Sequence, residues 1–332
     1  MSLDRRTLLI GTFAAGLAAR AAAQTPPPDT APSGRLALPD PDETIDLWPD
    51  GAPGGPRAAL VERVEERSTD PTYNDRFVTG ISRPRLVVFR PQRPNGAAAL
   101  ITPGGTYVRV VIDKEGYELA RWLAARGVTA FILFYRLPGE GWADRANVPL
   151  ADAQRAARLI RHRAAAYGID PARLCAIGFS AGGHVCASLA TRFTARVYDP
   201  VDAADGLSAR PDAAAPIYPV ISMRAPEANI GSRENLLGAN PSAGTERAHS
   251  PHLHVPADAP PCFLLHAEDD ATVPVANTLL LRDALRARGI ATETHIFPDG
   301  GHGFGLRLAR GKSVAHWPDL LSTWGRYRGL WA

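Results

Sequence analysis

The chain has 332 residues, with 37 Lys and Arg against 34 Asp and Glu and a formal net charge of +3. A balance this near neutrality gives no basis for a nucleic-acid partner. Three cysteines, an odd number, do not make a disulfide framework.

In chain order, residues 1–23 read as a twin-arginine signal peptide. Asp4-Arg5-Arg6-Thr7-Leu8-Leu9 carries the arginine pair, and Ala21-Ala22-Ala23 is a small-residue end. The apolar core Ile10–Ala19 between them is shorter than the roughly 20 residues of a membrane span. Cleavage before Gln24, export of a folded protein, a periplasmic or secreted location and no stable membrane anchor are the expectations. Residues 24–41, rich in Pro, Ala and Asp, read as a flexible linker. Residues 42–332 read as a single catalytic domain, with no internal repeat or heptad run.

Within that domain, apolar runs predict strands near 85–90, 97–102, 128–135, 173–179, 214–220, 261–267 and 292–297. Helices are expected near 114–126, 149–167, 181–192, 274–289 and 313–327. This alternation predicts an α/β fold, a mostly parallel eight-stranded sheet with helices on both faces. One or two antiparallel strands near 58–79 are expected to complete the sheet. Cys175, Cys186 and Cys262 fall on buried-looking elements and read as free core thiols.

The most informative stretch is Gly178-Phe179-Ser180-Ala181-Gly182. An apolar strand precedes it and a helix follows, the context of a nucleophile elbow. Glycines at 178 and 182 allow close chain passage, and Ser180 sits at a helix N-terminus that favours developing negative charge. Serine needs a base, and the base an orienting acid, in the chain order Ser, Asp or Glu, His. Of the nine histidines, His302 stands apart, in the glycine loop Gly300-Gly301-His302-Gly303 after the strand-like Thr292–Phe297. His162 lies in an Arg-rich helix, His184 one turn beyond Ser180, His266 in an apolar run and His295 in a strand. Asp270, after the strand Cys262–His266, is the acid at a strand end facing the crevice, with Asp269 its competitor. Thr102-Pro103-Gly104-Gly105-Thr106-Tyr107 would add an oxyanion N–H to that of Ala181.

With these stretches in order, the chain resembles an α/β-hydrolase, and more narrowly the bacterial esterases and lipases with a Pro-Gly-Gly-Gly-Tyr loop. Glu115-Gly116, Tyr135-Arg136-Leu137, Ser250-Pro251-His252-Leu253-His254 and Asp270–Pro274 also match, so the resemblance covers roughly residues 85–310. Many such proteins resemble acetyl esterases acting on xylan or other sugars, and relatives are related to feruloyl esterases. The resemblance implies Ser180 as nucleophile, Asp270 as acid, His302 as base, and Gly105, Thr106 and Ala181 as backbone oxyanion donors. Thr106 departs from the pattern, standing where the family has a third glycine.

Other residues read as structural. Arg136 and Asp152 suggest an ion pair between a strand and a helix, and Glu115 at a helix start suggests dipole compensation. His249, His252 and His254 lack the i, i+4 spacing of a helical zinc site. The variable stretch 192–260 offers Arg224, Asn229 and Arg233 as contacts to a polar substrate. The expected function is hydrolysis of short-chain acyl esters, with acetyl groups on a carbohydrate foremost, without cofactor or metal. A serine peptidase or other acyl hydrolase of the same fold, and a non-catalytic binding protein on that scaffold, are the alternatives.

Overall fold

The computed structural model describes residues 40, 41, 43–56 and 58–331. The expected signal peptide (1–23) and nearly all of the expected linker (24–41) lie outside the described residues.

Eleven strands are found among the described residues: β1 Thr44–Asp46, β2 Arg63–Glu66, β3 Arg76–Thr79, β4 Arg85–Phe89, β5 Ala98–Thr102, β6 Val110–Val111, β7 Thr129–Phe134, β8 Leu174–Phe179, β9 Ala213–Ile217, β10 Cys262–Ala267 and β11 Thr292–Phe297. The helices are α1 Glu118–Ala124, α2 Val148–His162, α3 Ala164–Tyr167, α4 Ser180–Arg192, α5 Ile230–Leu237, α6 Ala243–Ala248, α7 Ala276–Ala287 and α8 Trp317–Tyr327.

Eight strands form the main sheet in the order β1-β4-β7-β5-β8-β9-β10-β11. The six from β7 to β11 are parallel, and β4 runs antiparallel to β7. Strands β5, β7, β8, β9 and β10 are buried at every position. They are the continuous apolar runs that a sheet covered on both faces requires. This is the α/β-hydrolase arrangement.

The segment 58–79 does not complete this sheet. Its strands β2 and β3 pair with β6 in a separate three-stranded sheet, and the missing edge strand is β1, antiparallel to β4. The reason is compositional. Arg63-Val64-Glu65-Glu66 is exposed throughout, so it has no apolar face to place over the core. Ile45 and Leu47, at and just after β1, are buried.

The expected pair of Arg136 and Asp152 lies in the interior, with side chains 1% and 0% exposed and Nη2–Oδ1 at 2.8 Å. Asp152 also accepts Trp48 Nε1–H, and Arg136 donates to the Pro53 carbonyl. The two charges therefore fasten the N-terminal strand region to β7 and α2. All three cysteines are free and buried, on β8, α4 and β10. Burial raises each thiol pKa, that of Cys262 to about 12. Among the described residues, no helix is long and apolar enough to cross a membrane.

The topology already locates a crevice. From β5 the chain crosses to β7 on one side, then returns to β8 on the other. Connections that leave adjacent strands in opposite directions open a cleft at their carboxyl ends. Thr102 and Gly178, near those ends, are register partners.

Candidate active site

The site is assembled at the carboxyl ends of four parallel strands. The chain turns sharply from β8 into α4, and Ser180 takes φ = 52°, a left-handed conformation that a side chain adopts only when its surroundings enforce it. The turn is tight enough that a Cβ on Gly182 would lie 2.0 Å from the Thr102 carbonyl oxygen, and one on Gly178 2.3 Å from the Gly182 oxygen. The Ser180 carbonyl is fixed by Val220 N–H at 3.1 Å. These restraints present Oγ at the head of α4, whose first-turn N–H groups have no partner within the helix.

His302 bridges the other two members. Its Nε2 lies 2.8 Å from Ser180 Oγ, and its Nδ1 lies 2.7 Å from Asp270 Oδ2. Beside a carboxylate, Nδ1 carries the proton, so Nε2 is free to accept the serine hydroxyl hydrogen. Asp270 follows β10 and is saturated with donors. Oδ1 accepts the N–H groups of Thr272 and Val273, and Oδ2 accepts His302 and, at 3.1 Å, His266 Nε2. Burial acts to raise its pKa, but the hydrogen bonds from His266 and His302 outweigh it and hold the carboxyl well below its ordinary value. Asp269 is exposed, and its Oδ1 instead accepts Gly301 N–H at 2.7 Å. Of the two neighbouring acids, Asp270 is the one that reaches His302.

The loop after β5 passes over Ser180. Tyr135 Oη donates to the Pro103 carbonyl, Val111 N–H to that of Gly104, and the N–H groups of Val108 and Arg109 to that of Gly105. In a trans peptide, N–H and C=O point in opposite directions. Pinning the Gly104 and Gly105 carbonyls therefore turns the N–H groups of Gly105 and Thr106 the other way. Thr106 and Tyr107 both hold positive φ, 57° and 62°. Tyr107 is kept there by a buried relay in which its hydroxyl donates to His184 Nδ1 (2.6 Å), while His184 Nε2–H donates to the His249 carbonyl (2.7 Å). Burial lowers the pKa of His184 to about 3 and raises that of Tyr107, so the relay is neutral.

The family model described as BD-FAE matches residues 100–285, which takes in the loop after β5, Ser180 and Asp270. The chain belongs to the BD-FAE family. It is similar to a crystal structure of the acetyl ester-xyloside bifunctional hydrolase from Caldicellulosiruptor lactoaceticus, with 33% identity, a TM-score of 0.72, and 90% of this chain and 100% of that one covered. Acetylxylan esterase from Xylanibacter ruminicola is 32% identical over 67% of this chain and 44% of that protein. Endo-1,4-beta-xylanase B from Butyrivibrio fibrisolvens is 37% identical over 66% of this chain and 34% of its own length. The chain thus spans about a third to under half of these two curated relatives.

In this BD-FAE chain several predicted side chains have other roles. Asn229 caps α5 through Ser232 N–H and donates to the Thr272 carbonyl in the Asp270 loop. Arg233 pairs with Glu246, and Arg224 is exposed. His254 Nε2 meets the Arg247 carbonyl, and among the described residues no group of three His, Cys, Asp or Glu is placed to hold a metal. Glu115 stands in the first turn of a helix, where it was expected, and is 3% exposed beneath the loop after β5.

The residues missed by sequence reasoning are mostly second partners. His266 sits between Asp270, the Val273 carbonyl and Thr278 Oγ1. Its i, i+4 spacing to Asp270 was visible, but only the bend after β10 makes the pair meet. Asn235, in the undetected helix α5, donates to the Thr106 carbonyl, and Gly231 of the same helix lies against the Thr106 methyl. With Asn229 on the acid loop, α5 spans the two sides of the site.

Proposed function

We propose that this chain is a serine carboxylesterase that hydrolyses short-chain acyl esters through an acyl-enzyme, with acetyl groups on a carbohydrate as its substrate class. The observation that carries the reading is His302 held between Ser180 Oγ and Asp270, beside a loop whose Gly104 and Gly105 carbonyls are pinned. Ser180 attacks the ester carbonyl as His302 takes its proton. The N–H groups of Ala181 and Gly105, joined by that of Thr106, stabilise the oxyanion, and Asp270 holds the imidazole in the productive tautomer. His302 then protonates the leaving alcohol, and water repeats the sequence on the acyl-enzyme.

The carbohydrate acetate is supported by the names of the acetylxylan esterase and the acetyl ester-xyloside hydrolase that the chain resembles. Cleavage of a xyloside bond requires two carboxylates free to face a sugar. Here Asp270 is occupied by His266 and His302, and Asp269 by Gly301, so deacetylation is the reading the site favours. The twin-arginine segment supports action in the periplasm or outside the cell. Changing Arg5 and Arg6 to Lys should retain the enzyme in the cytoplasmic fraction.

The test is acetate release from acetylated xylo-oligosaccharides beside hydrolysis of nitrophenyl acetate, for the wild type and Ser180→Ala. Wild-type turnover on both substrates, lost in the variant, is expected. Turnover on neither, or activity surviving in Ser180→Ala, would overturn the proposal.

A further inference from the structure

Glu115 is a buried carboxylate beside the site that the proposed reaction leaves unused. It lies on a single wide helical turn, Asp113–Tyr117, closed by Tyr117 N–H bonding to the Ile112 carbonyl five residues back. Wide turns of this kind insert one extra residue into a helix and are frequent at functional sites. Here the turn carries Glu115 inward, while Lys114 before it remains partly exposed. Among the described residues, no ion pair within 4 Å includes Glu115.

Its two oxygens receive hydrogen bonds from opposite sides of the site. Oε2 accepts Gly104 N–H at 2.9 Å, and Oε1 accepts the Tyr218 hydroxyl at 3.1 Å. The Tyr218 oxygen in turn accepts Gly305 N–H at 3.2 Å. All three bonds run toward the carboxylate, so a charged acceptor terminates a chain of donors that strengthen one another. One end of the chain is the oxyanion loop. The other is the loop of His302, whose ring lies edge-on to Tyr218 at 5.1 Å. Gly104 is wedged where no side chain fits. A Cβ there would lie 2.7 Å from Glu115 Oε2, 2.8 Å from the Phe179 carbonyl and 2.9 Å from Ser180 Cβ.

We propose that Glu115 is a positioning residue that sets the oxyanion loop and the His302 loop together, through Gly104 and Tyr218. The inference rests on the serine esterase reading of the same site. Glu115 touches neither substrate nor the reacting atoms. Its carboxylate fixes the Pro103–Gly104 peptide, and with the Gly104 carbonyl held by Val111 this fixes the direction of Gly105 N–H. The same carboxylate orients the Tyr218 ring against which His302 packs. A glutamine offers one acceptor oxygen instead of two: with Oε1 toward Gly104 N–H, its Nε2 faces the Tyr218 oxygen, which already accepts Gly305 N–H, and the Tyr218 hydroxyl hydrogen loses its acceptor, so that end of the chain loosens.

The experiment compares Glu115→Gln, Tyr218→Phe and the double variant with wild type. It measures kcat and KM on nitrophenyl acetate, melting temperature, and the fraction of sites titrated by a fluorophosphonate. Glu115→Gln should lower kcat about 10- to 100-fold, the scale of a small misplacement at a reacting centre. KM should stay within about threefold and the titratable fraction should remain complete, a split that simple loss of folded protein does not produce. The double variant should lose no more than the worse single variant, because both changes cut one chain. A folded Glu115→Gln enzyme with wild-type kcat, or additive losses in the double variant, overturns the proposal. If Glu115→Gln does not fold, Tyr218→Phe decides: kcat at least fivefold down at unchanged KM supports the proposal, and wild-type kcat overturns it. A wild type that neither turns over the ester nor reacts with the fluorophosphonate refutes the esterase reading, a result distinct from any of these.

Discussion

In the proposed reaction, the acid–base side of Ser180 and its oxyanion side are held by different means. On the acid–base side the working groups are side chains, and side chains support them: Asp270 orients His302, and His266, anchored by Thr278, supports Asp270. On the oxyanion side the working groups are backbone N–H, and the loop is held through its carbonyls by Tyr135, Val111, Val108, Arg109 and Asn235. Removing a side-chain group deletes a function, whereas a backbone donor can only be misdirected. Losses on the first side should therefore be large and abrupt, and losses on the second smaller and graded.

The largest expected effect separates the two neighbouring acids. Asp270→Asn should lower kcat about 10⁴-fold, because an amide cannot hold the Nδ1–H tautomer. Asp269→Asn, which changes only the bond to Gly301 N–H, should stay within about threefold. Equal losses from both would show that the acid is misassigned. Next, His266→Gln removes one donor from Asp270 and leaves Thr278 without its ring partner. A kcat loss of about tenfold and a stability loss of about 1–3 kcal/mol in urea unfolding are expected.

On the oxyanion side, Asn235→Ala frees the Thr106 carbonyl and should lower kcat only about three- to tenfold, the effect of one ordinary hydrogen bond. A loss as large as that of Asp270→Asn would erase the distinction between the two sides. The smallest effect on turnover is expected from the relay behind Tyr107, where the readout is stability. Burial lowers His184 to about 3 and His249 to about 4, from an ordinary 6.5. The unfolded chain therefore takes up these protons first as pH falls. The stability contributed by the two neutral histidines is complete above pH 6.5 and declines toward pH 4 and then 3. Each contributes a slope of at most about 1.4 kcal/mol per pH unit. Thermal melts from pH 7.5 to 4 should show the decline, and His184→Gln should flatten part of it.

The same division explains what was legible in the sequence. Ser180, Asp270 and His302 meet through side chains that follow predicted strands, so residue type and chain order were enough to bring them together. The parallel strands were legible because burial on both faces leaves continuous apolar runs. The sheet edge was not: three residues, Thr44–Asp46, carry too short a pattern to announce a strand. The contacts of Glu115 were not legible because they depend on one wide helical turn, which no residue pattern announces. Helix α5 escaped because its composition is mixed, although Asn229 three residues before Ser232 is a recognisable cap. The supporting residues Tyr218, Asn235 and Tyr135 each bond groups more than thirty residues away, and only folding brings such partners together.

The three buried thiols give the molecule an internal clock. Cys175 and Cys262 lie on the central strands β8 and β10, and Cys186 lies on the helix that begins at Ser180. A thiol reagent attacks only the thiolate, and burial both shields these groups and keeps them protonated. Modification must await an opening that exposes the middle of the sheet. With reagent in excess and closing fast, the labelling rate of each cysteine measures the free energy of that opening at its own position. If the centre of the sheet opens as one cooperative unit, the three rates corrected for intrinsic reactivity will coincide. A faster Cys186 would show the nucleophile helix detaching before the strands beneath it part.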